Sequence, residues 1–345
     1  MRSRRSALRL LRDGAILSTA AWATSPLLAA RRGKRTTALL VPLTGDRAAL
    51  GLSIRNAAML AQTDAAAMTV IDTGGTAEGA ARAATAAVRG GAAMLIGPLS
   101  AAEARAAGAA VAGRVPVLTL TNDSAVRNSG TFVFGITPGQ AASAILGYAR
   151  SRGVRRVLAV DDGTPWGRAS VAAAKMAEAE LGLSIDIATL TGGTLPAPAT
   201  PPDALFVPGG SALVLAAARQ AKDSGVQLLA TVQALDYRAD TLAALDGVWI
   251  ASPDPERFAT FATSYTARNG GRPGAIAALG YDAASIARTL RDADTLTREG
   301  LLGENGFDCV TGQVRFRSDG SCARDFAILV PRTGVYEKVA ESRGA

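Results

Sequence analysis

The chain has no histidine among its 345 residues, so any chemistry must come from carboxylates, lysine, serine, threonine and tyrosine. Ser-His-Asp and Cys-His arrangements, an imidazole base and histidine-ligated zinc are excluded. Two cysteines, Cys309 and Cys322, are too few for a four-thiolate metal site or an iron–sulfur cluster. Val70-Ile-Asp-Thr-Gly74 looks like the triplet of enzymes whose two carboxylates share one proton, yet it occurs once in the chain. Gly74-Gly75 with Gly79 matches neither GxGxxG nor a phosphate loop ending in Gly-Lys-Ser/Thr. Asp72, Asp123 and Asp162 remain as acids that nothing pairs. Arg152, Arg155 and Arg156 stand at a predicted helix end, where positive charge suits the helix dipole. No catalytic group, metal or cofactor is indicated, and these residue types suit binding rather than catalysis.

The elements that must position the polar residues follow a steady rhythm. Apolar runs at 37–41, 68–72, 92–96, 115–119 and 131–135 alternate with alanine-rich helical stretches at 48–64, 77–90 and 101–113. A second series follows, with strands at 156–160, 184–189, 204–207 and 227–231 and helices at 138–152, 166–181 and 211–224. Apolar strands alternating with amphipathic helices predict a parallel sheet covered on both faces, and two series predict two lobes. Residues 255–302 read as nearly continuous helix, 313–339 as β-hairpin material, and 191–202 as a Pro/Gly-rich connection. Ligands of doubly wound sheets bind beyond the carboxyl ends of the strands. The polar residues at those ends are Thr44, Asp72, Ser100, Thr119, Thr121, Asn122, Asp123, Asp161, Asp162, Ser211 and Gln233. Each one singly suits helix capping, and Ser100 with Glu103 is a capping-box pattern. Together they outline a cleft.

The formal charge of +8 is local. Residues 1–35 carry nine basic residues and one acidic, leaving 28 of each in the remainder. The neutral body gives no case for nucleic acid. Residues 1–30 read as an export signal, with a basic start, the apolar run from Gly14 to Ala23, and small residues at Ala21, Ala23 and Ala30 for cleavage. The run is too short, and too broken by Pro26, to anchor the chain across a membrane. No cysteine near the cleavage region supplies a lipid anchor. Ser3-Arg-Arg-Ser-Ala-Leu-Arg9 serves a twin-arginine route or an ordinary secretory one equally. The mature chain is expected to be soluble in the periplasm. In that oxidising compartment Cys309 and Cys322, 13 residues apart around the Ser318–Ser321 turn, either pair or stay separate thiols. Pairing across a hairpin is the expectation, adding about 3 kcal/mol.

Several segments, in their order and spacing, resemble the type I periplasmic binding proteins of the leucine/isoleucine/valine-binding class. They are Val41-Pro-Leu-Thr-Gly45, Leu95-Ile-Gly-Pro-Leu-Ser100, Val115-Pro-Val-Leu118, Asp161 through Gly167, Ala277-Ala-Leu-Gly-Tyr-Asp-Ala283 and Phe307 through Phe316. The resemblance implies an α/β fold of two doubly wound Rossmann-like lobes, joined by three crossovers, that close on a ligand by hinge motion. The crossovers are expected near 135–139, 250–254 and 307–312. The N-terminal lobe then comprises 36–135 plus 254–307, and the C-terminal lobe 139–250 plus 312–340. Within this class, Asp72-Thr-Gly-Gly-Thr76, Glu78-Gly-Ala80, Thr121-Asn-Asp123, Phe132-Val-Phe-Gly135 and Gly247 through Pro255 resemble the penicillin-binding-protein activators. Those stimulate a peptidoglycan synthase by contact; this chain shows neither their lipoprotein cysteine nor an N-terminal helical-repeat domain.

Carried onto this chain, the ligand cleft takes Thr44, Ser100, Thr121, Asn122 and Asp123 from the first lobe. Asp162, Trp166, Ser211 and Gln233 come from the second, and Tyr281 is carried by the Ala277–Ala283 motif. Against the amino-acid receptors, Trp166 stands for a tyrosine, Ser211 for an aromatic residue, and neutral Gln233 for the acid that takes the ammonium. A buried ammonium without a counter-charge is costly, unless Asp123 or Asp162 supplies one. The resemblance therefore implies a non-catalytic, activator-type regulator of peptidoglycan synthesis that binds a penicillin-binding protein. The alternative is a substrate-binding protein delivering an amino acid or other small polar solute to an ABC permease.

Overall fold

The apolar run Thr36–Val41 (β1) feeds two cores, because successive side chains of a strand point to opposite faces. Leu39 and Val41 join one cluster, while Ala38 and Leu40 join another. The computed structural model describes residues 35–128, 130–190 and 200–344; the expected export signal and most of the 191–202 connection lie outside them. Strand β1 is flanked by Met68–Asp72 (β2) and Ala92–Ile96 (β3), then by Val117–Thr119 (β4) and Thr131–Val133 (β5). These form a parallel sheet of order β2-β1-β3-β4-β5. Ala48–Leu60 (α1) covers one face; Ala77–Arg89 (α2) and Ala101–Val111 (α3) cover the other with alanine-rich sides.

The second sheet repeats the logic. Pro138–Ser151 (α4) enters through a capping box of Thr137 with Gln140 and a proline in its first turn. Arg156–Asp161 (β6), Ser184–Thr189 (β7), Ala204–Val207 (β8), Gln227–Thr231 (β9) and Trp249–Ser252 (β10) run parallel. Pro165–Leu181 (α5), Ser211–Gln220 (α6) and Ala239–Ala244 (α7) connect them. Val157 and Ala159 face the core beneath α4 and α5, while Leu158 and Val160 face the core beneath α6.

The expected continuous helix over 255–302 is broken into Pro255–Asn269 (α8), Ala275–Asp292 (α9) and Arg298–Leu301 (α10). Gly270 caps α8 in the left-handed region at φ 77°, and Pro273 lies just ahead of α9, a stop signal that outweighs the apolar periodicity. Both long helices return to α1, and α9 also reaches β3 of the first sheet. Beyond them Phe307–Cys309 (β11), Gly312–Phe316 (β12) and Cys322–Arg324 (β13) form a small antiparallel sheet. Its apolar face, with Cys309, Val314 and Phe316, packs on the first core. Phe326–Arg332 (β14) and Val335–Ser342 (β15) then extend the second sheet to the order β15-β14-β10-β9-β8-β6-β7. The chain thus crosses between lobes after β5, at Pro253–Asp254, and at Asp325. The last crossing falls there rather than near 307–312, because the small sheet first has to bury its apolar face.

The expected Cys309–Cys322 disulfide is not present; both thiols are free and buried. Cys309 pairs with Gly312 at one end of β12, and Cys322 with Phe316 at the other. The two outer strands lie two spacings apart, about 9–10 Å, beyond the roughly 7 Å between Cα atoms that a disulfide spans. Burial pushes both thiols above their ordinary pKa.

Just ahead of the third crossing, the Arg324 side chain has no solvent exposure. It donates to the Phe134 carbonyl at 2.6 Å, on the first crossing, and to the Thr311 hydroxyl, and it lies 4.7 Å over the Phe134 ring. Thr311 passes the contact on by donating to Asp282 at 2.7 Å, and Asp282 also accepts the Val310 and Thr311 amides at 2.8 and 2.9 Å. Burial pushes the Asp282 carboxyl up, against the pull of those donors and of Arg324. Removing the guanidinium leaves Asp282 buried without its counter-charge. Arg324→Ala is expected to destabilise the protein by about 3–5 kcal/mol in urea denaturation; a loss below about 1 kcal/mol, the worth of a surface pair, would contradict this reading. The thiols provide a second check. A chromogenic disulfide reagent should titrate both thiols in denaturant and neither in the native protein; no reaction in denaturant would restore the bridge.

Candidate functional site

The carboxyl ends of both sheets carry the polar residues, and local signals hold each in place. In the first lobe Asp72 ends β2 and turns back on the loop after β1. It accepts the Leu43 amide at 2.7 Å, the Thr44 hydroxyl at 2.6 Å and the Gly74 amide at 2.8 Å. Desolvation works to raise the Asp72 carboxyl, but the Thr44 hydroxyl and the Gly74, Leu43 and Thr44 amides outweigh it and hold the pKa below its usual value.

Beside it stands Glu103, 1% exposed, one turn into α3. Its carboxylate accepts the Thr73 hydroxyl at 2.7 Å, the Ser100 hydroxyl at 2.6 Å and the Ser100 amide at 3.2 Å. The Arg47 guanidinium lies 3.4 Å away and donates to the Gly75 carbonyl at 2.6 Å. The Ser100 hydroxyl also accepts the Glu103 amide, completing the expected capping box. The hydroxyls of Thr44 and Ser100, predicted for the cleft, are therefore engaged within their own lobe. Further along the rim Thr121 is buried and accepts the Asp123 amide, while Asp123 caps the following turn and pairs with Arg105 at 2.9 Å. Asn122 is exposed.

In the second lobe Asp162 accepts the Thr164 amide and hydroxyl at 3.0 and 2.7 Å. A Cβ at Gly167 would stand 1.9 Å from its Oδ1, and one at Gly209 2.6 Å from its Oδ2, so both glycines make room for this carboxylate. Trp166 is half-buried against the α4–α5 core, with its indole N–H buried and unpartnered among the described residues. Ser211 donates to Asp236 at 3.4 Å, and Asp236 takes the Arg238 guanidinium at 2.6 Å. That guanidinium, with the Arg238 amide, lowers the Asp236 carboxyl to about 2. Gln233 is exposed and accepts nothing from Ser211.

Asn122, Asp123 and Trp166 come together, with Arg168, around a cavity of about 700 Å³ between the loop after β4 and the start of α5. Tyr281 does not join them; its ring lies 5.2 Å from Phe261, between α8 and α9. Arg47, Thr73, Asp236 and Arg238 escaped the sequence reading because their partners lie 25 to 56 residues away or follow an irregular turn, where no periodicity points to them. Among the described residues no group of three His, Cys, Asp or Glu is placed to hold a metal ion, and no helix is long and apolar enough to cross a membrane.

The sequence matches a family model described as periplasmic binding protein over residues 36–334. No curated protein matches the chain in sequence. Solved structures share its fold at low identity. A Rhodospirillum rubrum protein ascribed to a branched-chain amino acid ABC transporter is 20% identical, with 88% of this chain and 100% of that one covered at TM-score 0.76. The C-domain of LpoA from Haemophilus influenzae, a regulator of PBP1A, is 18% identical over 88% of this chain and 100% of its own, at TM-score 0.73. The leucine-binding protein LivK of Thermotoga maritima is 19% identical over 90% and 99%, at TM-score 0.60. With two doubly wound lobes, three crossings and a family match over nearly all of the described residues, the chain belongs to the periplasmic binding protein family.

Proposed function

We propose that the protein is a non-catalytic, periplasmic regulator of peptidoglycan synthesis that acts by contact with a penicillin-binding protein. One observation carries this reading. The hydroxyls of the first lobe that would hold a ligand's carboxylate are engaged by Glu103 and Asp72, so an incoming carboxylate meets two like charges instead of free donors. Arg47 is turned to Glu103 and the Gly75 carbonyl. The fold shared with the LpoA C-domain supports the reading. The lobes, on this view, run over 36–135 with 254–324 and over 139–250 with 326–340, and the export signal at 1–30 delivers the chain to the periplasm.

A solute receptor for an ABC permease is the second reading, favoured by the cavity of about 700 Å³ that Asn122, Trp166 and Arg168 line between the lobes. Two measurements separate them. Immobilised mature protein in envelope extract should retain a penicillin-binding protein visible with fluorescent penicillin; retention of none would sink the regulator. In a thermal screen of amino acids, small carboxylates and amides, no compound should stabilise the protein. A receptor at 100 times its dissociation constant would instead gain about 2.7 kcal/mol.

A further inference from the structure

A groove runs from the mouth between the lobes, around the first crossing, to the turn between β12 and β13. Two cavities, of about 700 and 280 Å³, compose it and share Ser124, Gly139, Ala173 and Met176 as walls. The side of α5 supplies a long wall of Ala169, Ala172 and Ala173, closed by Met176, which is 85% exposed. From Trp166 to Met176 that wall measures about 15 Å at the helical rise, the length of four or five residues of extended chain. Three exposed guanidiniums, Arg127, Arg168 and Arg317, stand on its walls. Of the acids nearby, Asp123 is already paired with Arg105 at 2.9 Å, and Asp319 with Arg127 at 3.6 Å. The local balance is positive although the body as a whole is neutral.

The geometry points to this groove as a docking site for an extended, acidic segment of a partner protein, with an apolar side chain of that segment against Met176. The inference rests on the contact function proposed above and places the contact. A concave channel between two lobes suits a strand of chain rather than a flat membrane. Its walls come from both lobes, so an occupant also feels their separation.

The probe is a capped hexapeptide alternating glutamate and leucine, its counterpart with lysine for glutamate, and the full mature protein, followed by fluorescence anisotropy. The glutamate peptide should bind at least tenfold tighter than the lysine peptide and weaken with salt. Arg127→Glu with Arg317→Glu should abolish the preference, and so should Met176→Asp, whose exposed position leaves folding intact. Arg219→Glu, at a cavity between α6 and α7, should change nothing. Equal binding of both peptides would overturn the inference. So would tighter binding to anionic phosphatidylglycerol vesicles, or a dimer that fills the groove. If the groove variants retain a penicillin-binding protein as well as the unaltered chain does, the site fails while the function stands. If the peptide preference holds and no penicillin-binding protein is retained, the function fails while the site stands.

Discussion

A guanidinium without access to water is the constraint on which the two-lobed arrangement depends. Arg324 lies beside the third crossing and reaches the first, and its charge has to be met by the Phe134 carbonyl, the Thr311 hydroxyl and, through that hydroxyl, Asp282. Burying ions costs several kcal/mol apiece, so such a cluster is stable only while every partner is in place. Helix α9, the β11–β12 turn and the first crossing are therefore bound into one arrangement. The second crossing is tied in separately, by Lys338 of β15 on Asp254 at 2.8 Å. The lobes are free to differ in their rims because their junction is so closely specified.

The rims use that freedom differently. In the first lobe a glutamate at the third position of α3 draws in two hydroxyls and an arginine, which closes a polar surface on itself. Buried polar groups are nearly always paired, and here the pairing is supplied by the chain instead of a guest. In the second lobe Asp162 is held between Gly167 and Gly209, and Asp236 by Arg238. What stays open between the lobes is a groove whose walls include alanine, methionine and arginine.

Much of the fold was legible in the residues. Parallel strands buried on both faces read as unbroken apolar runs, and β1 and β3 appear where those runs stand. The capping box at Ser100 was legible because its two members lie three residues apart. The helix expected over 255–302 is interrupted because the Gly270–Pro273 stop outweighs apolar periodicity. The disulfide failed because a hairpin turn between two cysteines does not say whether a strand lies between them, and here β12 does. Of the site, the positions at the strand ends were legible, but the use each hydroxyl is put to was not.

The sequence by itself determined which chemistry is impossible, the alternation that makes two parallel sheets, and the local caps that start the helices. Each of those rests on composition or on residues a few positions apart. Tertiary structure alone decided that Arg324 would meet Phe134, 190 residues away, that Arg47 would face Glu103, and that Cys309 and Cys322 would stay apart. These outcomes depend on strand order and on where burial is completed, and a long-range contact leaves no period in the chain from which it could be read.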